Sequence, residues 1–367
     1  MKISCTQEKL NKGLSAVSRI VGIRTTLPVL SNICLEAKHG SLEISATDLE
    51  IGIRTKIGAK IDKDGAITIP ARLLSEFVAN NSDENIDLEL KETTLHLKSQ
   101  RYEANIKGID FSEFPQVPTV SDEAIIEIRT EVLTKSISEV IIAAATDDTR
   151  PVLSGIYFKF VGGTLYMVAT DSYRLAEKTI EIPKVNKDCE FIVPTKTMHE
   201  VLRITSLSAE EKVKIFISEN QVAFSAGESE IVSRLIEGAF PNYKQIIPAS
   251  FKTTADINLV EFSSAVKMAA LFARQGANNI RIKFAPSEVI ISSVADQVGD
   301  NVAKIAATSS AESEEITFNA KYLLDILQVL PDKKVIFEVN DKMSPGLIRG
   351  EKTKDYLYII MPLRVEE

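Results

Sequence analysis

Leu27-Pro28-Val29-Leu30-Ser31 recurs as Arg150-Pro151-Val152-Leu153-Ser154, and Ala46-Thr47-Asp48 recurs as Ala169-Thr170-Asp171. Both pairs are displaced by 123 residues, so an internal repeat is the first thing this chain declares. Outward from these stretches the order of landmarks is kept. Ile67-Thr68-Ile69-Pro70 answers to Phe191-Ile192-Val193-Pro194, and Phe114-Pro115 to Phe240-Pro241. A fainter third copy follows: residues 279–284 parallel 154–160, Ala295-Asp296 stands where Thr170-Asp171 stands, and Ile316-Thr317-Phe318-Asn319 replaces the strand ending at Pro194. Three such periods fill the 367 residues, which sets expected domains at 1–121, 122–247 and 248–367, with Asp122-Glu123 and Pro248-Ala249 as connectors.

Within each copy the hydrophobic period alternates. Residues 8–21 carry Leu10, Leu14, Val17 and Val21 at three-and-four spacing, and 132–145 and 259–274 behave alike, so each copy opens on an amphipathic helix. Strands of period two follow, as in 42–44 and 51–57. A second helix comes next, over 71–80, 195–204 or 320–330, and further strands such as 86–90 and 94–97 close the copy. Each copy is thus a doubled unit of one helix and several strands. Helices too few to alternate with strands imply antiparallel sheet with helices on one side, an α+β fold.

Composition narrows the function. Hydrophobic residues at 44% and charged residues at 26% describe a globular protein. Cys5, Cys34 and Cys189 are scattered, which fits neither a disulfide framework nor a thiolate metal site and suits a reducing cytoplasm. The polar start and the absence of a long apolar run point to a soluble protein that is neither secreted nor membrane-bound. A net charge of −8 argues against coating nucleic acid or anionic lipid with the whole surface. The charge is nevertheless uneven: the first helix and its exit set Lys9, Lys12, Arg19 and Arg24 against Glu8, and the helices together are net positive. Such a face could meet phosphate without reading bases. On charge alone, ordinary solvated helix faces are the simpler account.

Catalytic signatures are missing. His39, His96 and His199 form no zinc spacing, there is no phosphate-binding loop or nucleophile elbow, and Gly162-Gly163 reads as a hairpin turn. No cofactor is expected. The polar stretch 170–175 has the density of an active-site loop, yet an Asp at a strand end commonly caps a turn, which covers Asp48 and Asp171 equally. Tyr173, Arg174 and Leu175 beside that turn have the mixed character of a peptide-binding groove. The residues alone therefore leave open an enzyme around Asp171, a scaffold, and a binding module for DNA and proteins.

Taken in order, RPVLSGI, ATDSYRLA, FIVP, FPNYKQIIP and the C-terminal YIIMPLR resemble the bacterial DNA sliding clamps, the beta subunits of DNA polymerase III, over essentially the whole chain. The resemblance implies three tandem clamp domains, each of two helices on antiparallel sheets. It also implies a noncatalytic head-to-tail homodimer that closes a ring around duplex DNA. The implied partners are the replicative polymerase's catalytic subunit, an ATP-driven clamp loader, and other polymerases, ligase and mismatch-repair proteins. By the same resemblance the partner-peptide pocket falls on Leu153, Thr170, Tyr173, Arg174, Leu175, Pro241, Ile246, Met343, Pro345, Ile359, Met361, Pro362, Leu363 and Arg364. Leu153, Leu175, Ile246, Ile359 and Met361 would be its apolar walls, and Arg174 and Arg364 its polar anchors. DNA contact falls on Arg24, Arg72, Lys196, Asn319 and Tyr322, and the dimer contact on Ala104 and Ile106 in an edge strand against Leu271 and Phe272 in a helix. Ser172-Tyr173, Gln245 and the small Ala104 depart from the family's commoner residues.

Overall fold

The computed structural model describes residues 1–22, 27–120, 124–147, 149–183, 185, 188–274, 277–295, 297, 299–310 and 314–364. Arg24, the connector at Asp122-Glu123 and Asp296 lie outside the described residues. Six helices are present among those described: α1 Gln7–Val17, α2 Ala71–Asn80, α3 Thr130–Ile141, α4 Thr195–Leu207, α5 Leu259–Ala273 and α6 Ala320–Val329.

α1, α5 and α6 begin where a side chain takes over orphan amides, and α2 and α4 where Pro70 and Pro194 end the preceding strand. Thr6 caps α1 by accepting from Lys9 N, Asn258 caps α5 by accepting from Val260 N and Glu261 N, and Asn319 caps α6 by accepting from Lys321 N. The stripe Leu10, Leu14, Val17 is buried as its spacing requires. The ends needed correction. α1 stops at Val17 and passes into a 3-10 turn at Ser18–Ile20, where Arg203 donates to the carbonyls of Ser15 and Ala16, while α4 runs on to Leu207. A helix end settled by a residue so distant in sequence is invisible to periodicity.

A strand also precedes each first helix, at Lys2–Thr6, Ile126–Arg129 and Thr253–Asn258, outside the strands expected from periodicity. With them, the described residues read strand, helix, three strands six times over; Lys60–Lys63 is an addition to the first copy. The doubled unit holds. Gly162 and Gly163, at φ of 58° and 88°, form the two-residue turn between Gly155–Val161 and Thr164–Thr170.

The described residues gather into two compact units. The first comprises Met1–Thr134 and Lys196–Leu235. It holds a five-stranded sheet, with Glu103–Lys107 at one edge, and an eight-stranded sheet in which Ile51–Gly58 pairs with Ser229–Arg234. The second comprises Lys135–Thr195 and Ile236–Glu367, and its twelve-stranded sheet joins Arg174–Glu181 to Tyr356–Ile360 with Leu175 opposite Ile359. All pairings among the described residues are antiparallel, so the α+β expectation stands. In each unit the sheet runs through a repeat boundary, and packing follows the sheets.

Candidate functional site

The repeated Ala-Thr-Asp builds the same turn twice. At Thr170–Arg174, Thr170 Oγ1 donates to Arg174 O (2.6 Å), Ser172 N donates to Thr170 Oγ1 (3.1 Å), and Asp171 Oδ1 accepts from Tyr173 N (2.9 Å) and Arg174 N (3.0 Å). Ser172 sits at φ 76°. Asp171 is thus a turn-former, and nothing in its geometry calls for an acid-base role. The chain leaves the turn as the strand Arg174–Glu181. Its neighbour Tyr356–Ile360 continues into a strap: Met361 N donates to Tyr173 O and Leu363 N to Thr317 O, each at 2.8 Å. Met361–Arg364 therefore crosses between the turn and the strand Glu314–Asn319 that feeds α6.

One buried cluster roots the surrounding segments: Tyr157, Val168, Leu175, Ile192, Tyr243, Leu347 and Ile359, with Ile247 and Phe240 packed against it. Phe240 stacks on Tyr157 at 4.7 Å between centroids, and the Tyr243 hydroxyl donates to Glu177. Burial first, then the Glu177 carboxylate, pushes that hydroxyl well above the usual tyrosine range and keeps it a donor. The same segments present apolar groups outward. Tyr173 is 56% exposed next to Leu175, Ile246 is 41% exposed between Tyr243 and Ile247, and Met343 is 53% exposed just ahead of Leu347. Pro345, Met361, Pro362 and Leu363 are half-buried, Pro241 and Arg364 are exposed, and Thr170 is buried.

Of the residues expected as apolar walls, Leu153, Leu175 and Ile359 are buried. Arg174 is only 6% exposed and already engaged: Nε donates to Asp171 Oδ2 at 3.0 Å, Nη1 donates to Asp325, and Cζ lies 4.3 Å from the Tyr322 ring centroid. Arg150, outside the expected set, donates to Ser172 Oγ at 2.8 Å. Asp325 was also missed. It lies 151 residues from Arg174.

Of the residues expected at DNA, Arg72 is exposed and pairs with Glu76 (2.8 Å), while Lys196 pairs with Asp48. Asn319 is the α6 cap, and Tyr322 is half-buried against Arg174. Ala104 and Ile106 lie in the edge strand Glu103–Lys107, with Ile106 buried. On α5, Leu271 is exposed and Phe272 half-buried. The strand Gly299–Ser309, on which α5 packs, pairs with Glu288–Ala295 from 299 to 306 and with Thr253–Asn258 only from 307 to 309. Residues 299–305 thus leave one edge unpaired among the described residues. No group of three or more His, Cys, Asp or Glu placed to hold a metal occurs among the described residues.

The site's geometry can be set beside known proteins. Three family models match in tandem: the DNA polymerase III beta subunit N-terminal domain over 1–118, its central domain over 127–242 and its C-terminal domain over 244–364. The chain is 32% identical to the beta sliding clamp of Bacillus subtilis, covering 99% of this chain and all of the relative. It is 30% identical to that of Synechococcus elongatus over the full length of both. Among solved structures, the Bacillus subtilis DNA polymerase sliding clamp superposes with a TM-score of 0.95 at 30% identity, covering both chains completely. A Pseudomonas aeruginosa sliding clamp bound to griselimycin does so with a TM-score of 0.94 at 28% identity, again over both chains.

Proposed function

This chain belongs to the family of bacterial sliding clamps, the beta subunits of DNA polymerase III, and on that premise we propose that two copies join head to tail into a ring around duplex DNA. A sliding clamp is a processivity factor and catalyses nothing itself. Three tandem clamp domains build the chain, and we assign them to 1–121, 122–247 and 248–367, a division supported by the three family spans.

The observation that carries ring closure is a pair of open strand edges in different sheets. One is Glu103–Lys107, with Ala104 and Ile106; the other is the unpaired side of 299–305. An open edge is a template for another strand. Pairing one copy's first edge with its partner's second is a heterologous contact, which gives a ring when its rotation closes. Leu271 and Phe272, on the helix that packs on Gly299–Ser309, supply the apolar side of that contact.

A closed ring holds DNA by topology, so phosphate contacts at Arg24, Arg72 and Lys196 need only be weak and blind to sequence. The tether raises a bound enzyme's effective concentration at the primer end. The tethered enzymes carry short peptides with aliphatic and aromatic anchors, which meet Tyr173, Ile246, Met343 and the strap Met361–Arg364 over the buried floor. Methionine adapts such a surface to several peptides, in keeping with the replicative polymerase, other polymerases, ligase and mismatch-repair proteins as alternating occupants. An ATP-driven loader opens the ring. Among the described residues no helix is long and apolar enough to cross a membrane, and we place the protein in the cytoplasm at replication forks.

The test loads full-length protein onto nicked circular DNA and separates bound from free by gel filtration. Retention on the circle and loss after a single linearising cut is expected; equal retention on both would sink the ring.

A further inference from the structure

Arg174 is buried next to the exposed Tyr173, and two carboxylates claim it from different parts of the second unit. Asp171 holds it from the turn, and Asp325, one helical turn beyond Tyr322 on α6, holds it from the helix. The guanidinium is stacked on Tyr322 at 4.3 Å, and Tyr358 fixes that turn of α6 by donating its hydroxyl to Tyr322 O at 3.0 Å. Asp171 is committed twice, since its other oxygen builds the turn. Asp325 is therefore the carboxylate whose main described role is to hold Arg174 down on α6.

We infer that Asp325 is a positioning residue that sets the pocket's charge preference, keeping the Arg174 cation neutralised against α6 so that the groove selects peptides by apolar anchors and not by acidic groups. The inference rests on the partner-pocket reading and assigns a selectivity that the reading does not contain. Without Asp325, one end of a bidentate donor is released next to Tyr173, where an acidic side chain of a bound peptide can take it.

The experiment uses full-length protein and two synthetic peptides with identical aliphatic and aromatic anchors, one with Gln and one with Glu at a single flanking position, titrated by fluorescence anisotropy. In Asp325→Asn and Asp325→Ala the ratio of neutral to acidic Kd should rise about tenfold or more over wild type, the size of one charge-assisted hydrogen bond gained. A purely structural role would weaken both peptides equally, and an unchanged ratio in the isosteric Asn variant overturns the inference. Failure of wild type to bind either peptide would instead remove the pocket reading beneath it.

Discussion

The turns Thr47–Ile51 and Thr170–Arg174 share one backbone and differ in what they serve. Thr47 Oγ1 donates to Ile51 O at 3.0 Å, Asp48 Oδ1 accepts from Glu50 N and Ile51 N, and Leu49 sits at φ 77° against 76° for Ser172. Beyond the turns the two regions part. Gly52 follows the first, and a Cβ there would lie 2.6 Å from Val117 Cγ1, so the linker 114–120 sinks onto the sheet. Val117 and Val120 join a cluster with Ala223 and Val232, and Arg54 ties down the linker through Pro118 O at 3.1 Å. Leu175 stands in the place of Gly52 after the second turn; there Val120's counterpart, Ile246, remains 41% exposed. The repeat thus supplies a scaffold twice, and one residue after the turn goes with a linker that fills one surface and leaves apolar groups outward on the other.

That contrast can be broken most heavily at Leu175. Leu175→Ala removes a fully buried side chain from the floor cluster and should cost about 2–5 kcal/mol in chemical denaturation, taking peptide binding with it. Gly52→Val attacks the closed side. Crowding Val117 should cost about 1–3 kcal/mol, read as a lowered denaturation midpoint, with peptide affinity unchanged. The aspartates sharpen the comparison further. Lys196 is more than half exposed, so Asp48→Asn should cost at most about 1 kcal/mol. Asp171→Asn strips a carboxylate from a buried guanidinium and should cost more than Asp48→Asn in the same denaturation series.

The smallest effect is a labelling difference. Cys34 packs with Val29, Leu30 and Phe114 at the start of the first linker, and burial pushes its thiol up to about 12. The thiolate is the reactive form, so native protein at pH 8 should leave Cys34 unmodified by a thiol reagent, with reaction appearing only as pH approaches that value or the protein unfolds. Rapid labelling at pH 8 would mean that the first linker does not stay closed.

Much of this was legible in the sequence. The 123-residue offset located both turns, three-and-four spacing found the first helix of each copy, and the order of the repeat placed the second. Asp48 and Asp171 read correctly as turn-formers, since an Asp caps amides two and three residues ahead. What escaped reading was set by long-range contact. α1 ends where Arg203 reaches it, Arg174 is neutralised by Asp325, and Tyr322 is drawn under Arg174. Hydrophobicity could not separate the buried Leu175 and Ile359 from the exposed Ile246 and Met343, because pattern reports that a residue is apolar and only packing decides which side of a floor it faces.

The claim on which the rest depends is that two chains close a ring, and solution mass by light scattering across a dilution series tests it most directly. The account predicts a species near twice 40.4 kDa that persists on dilution. A monomer at every concentration would contradict it.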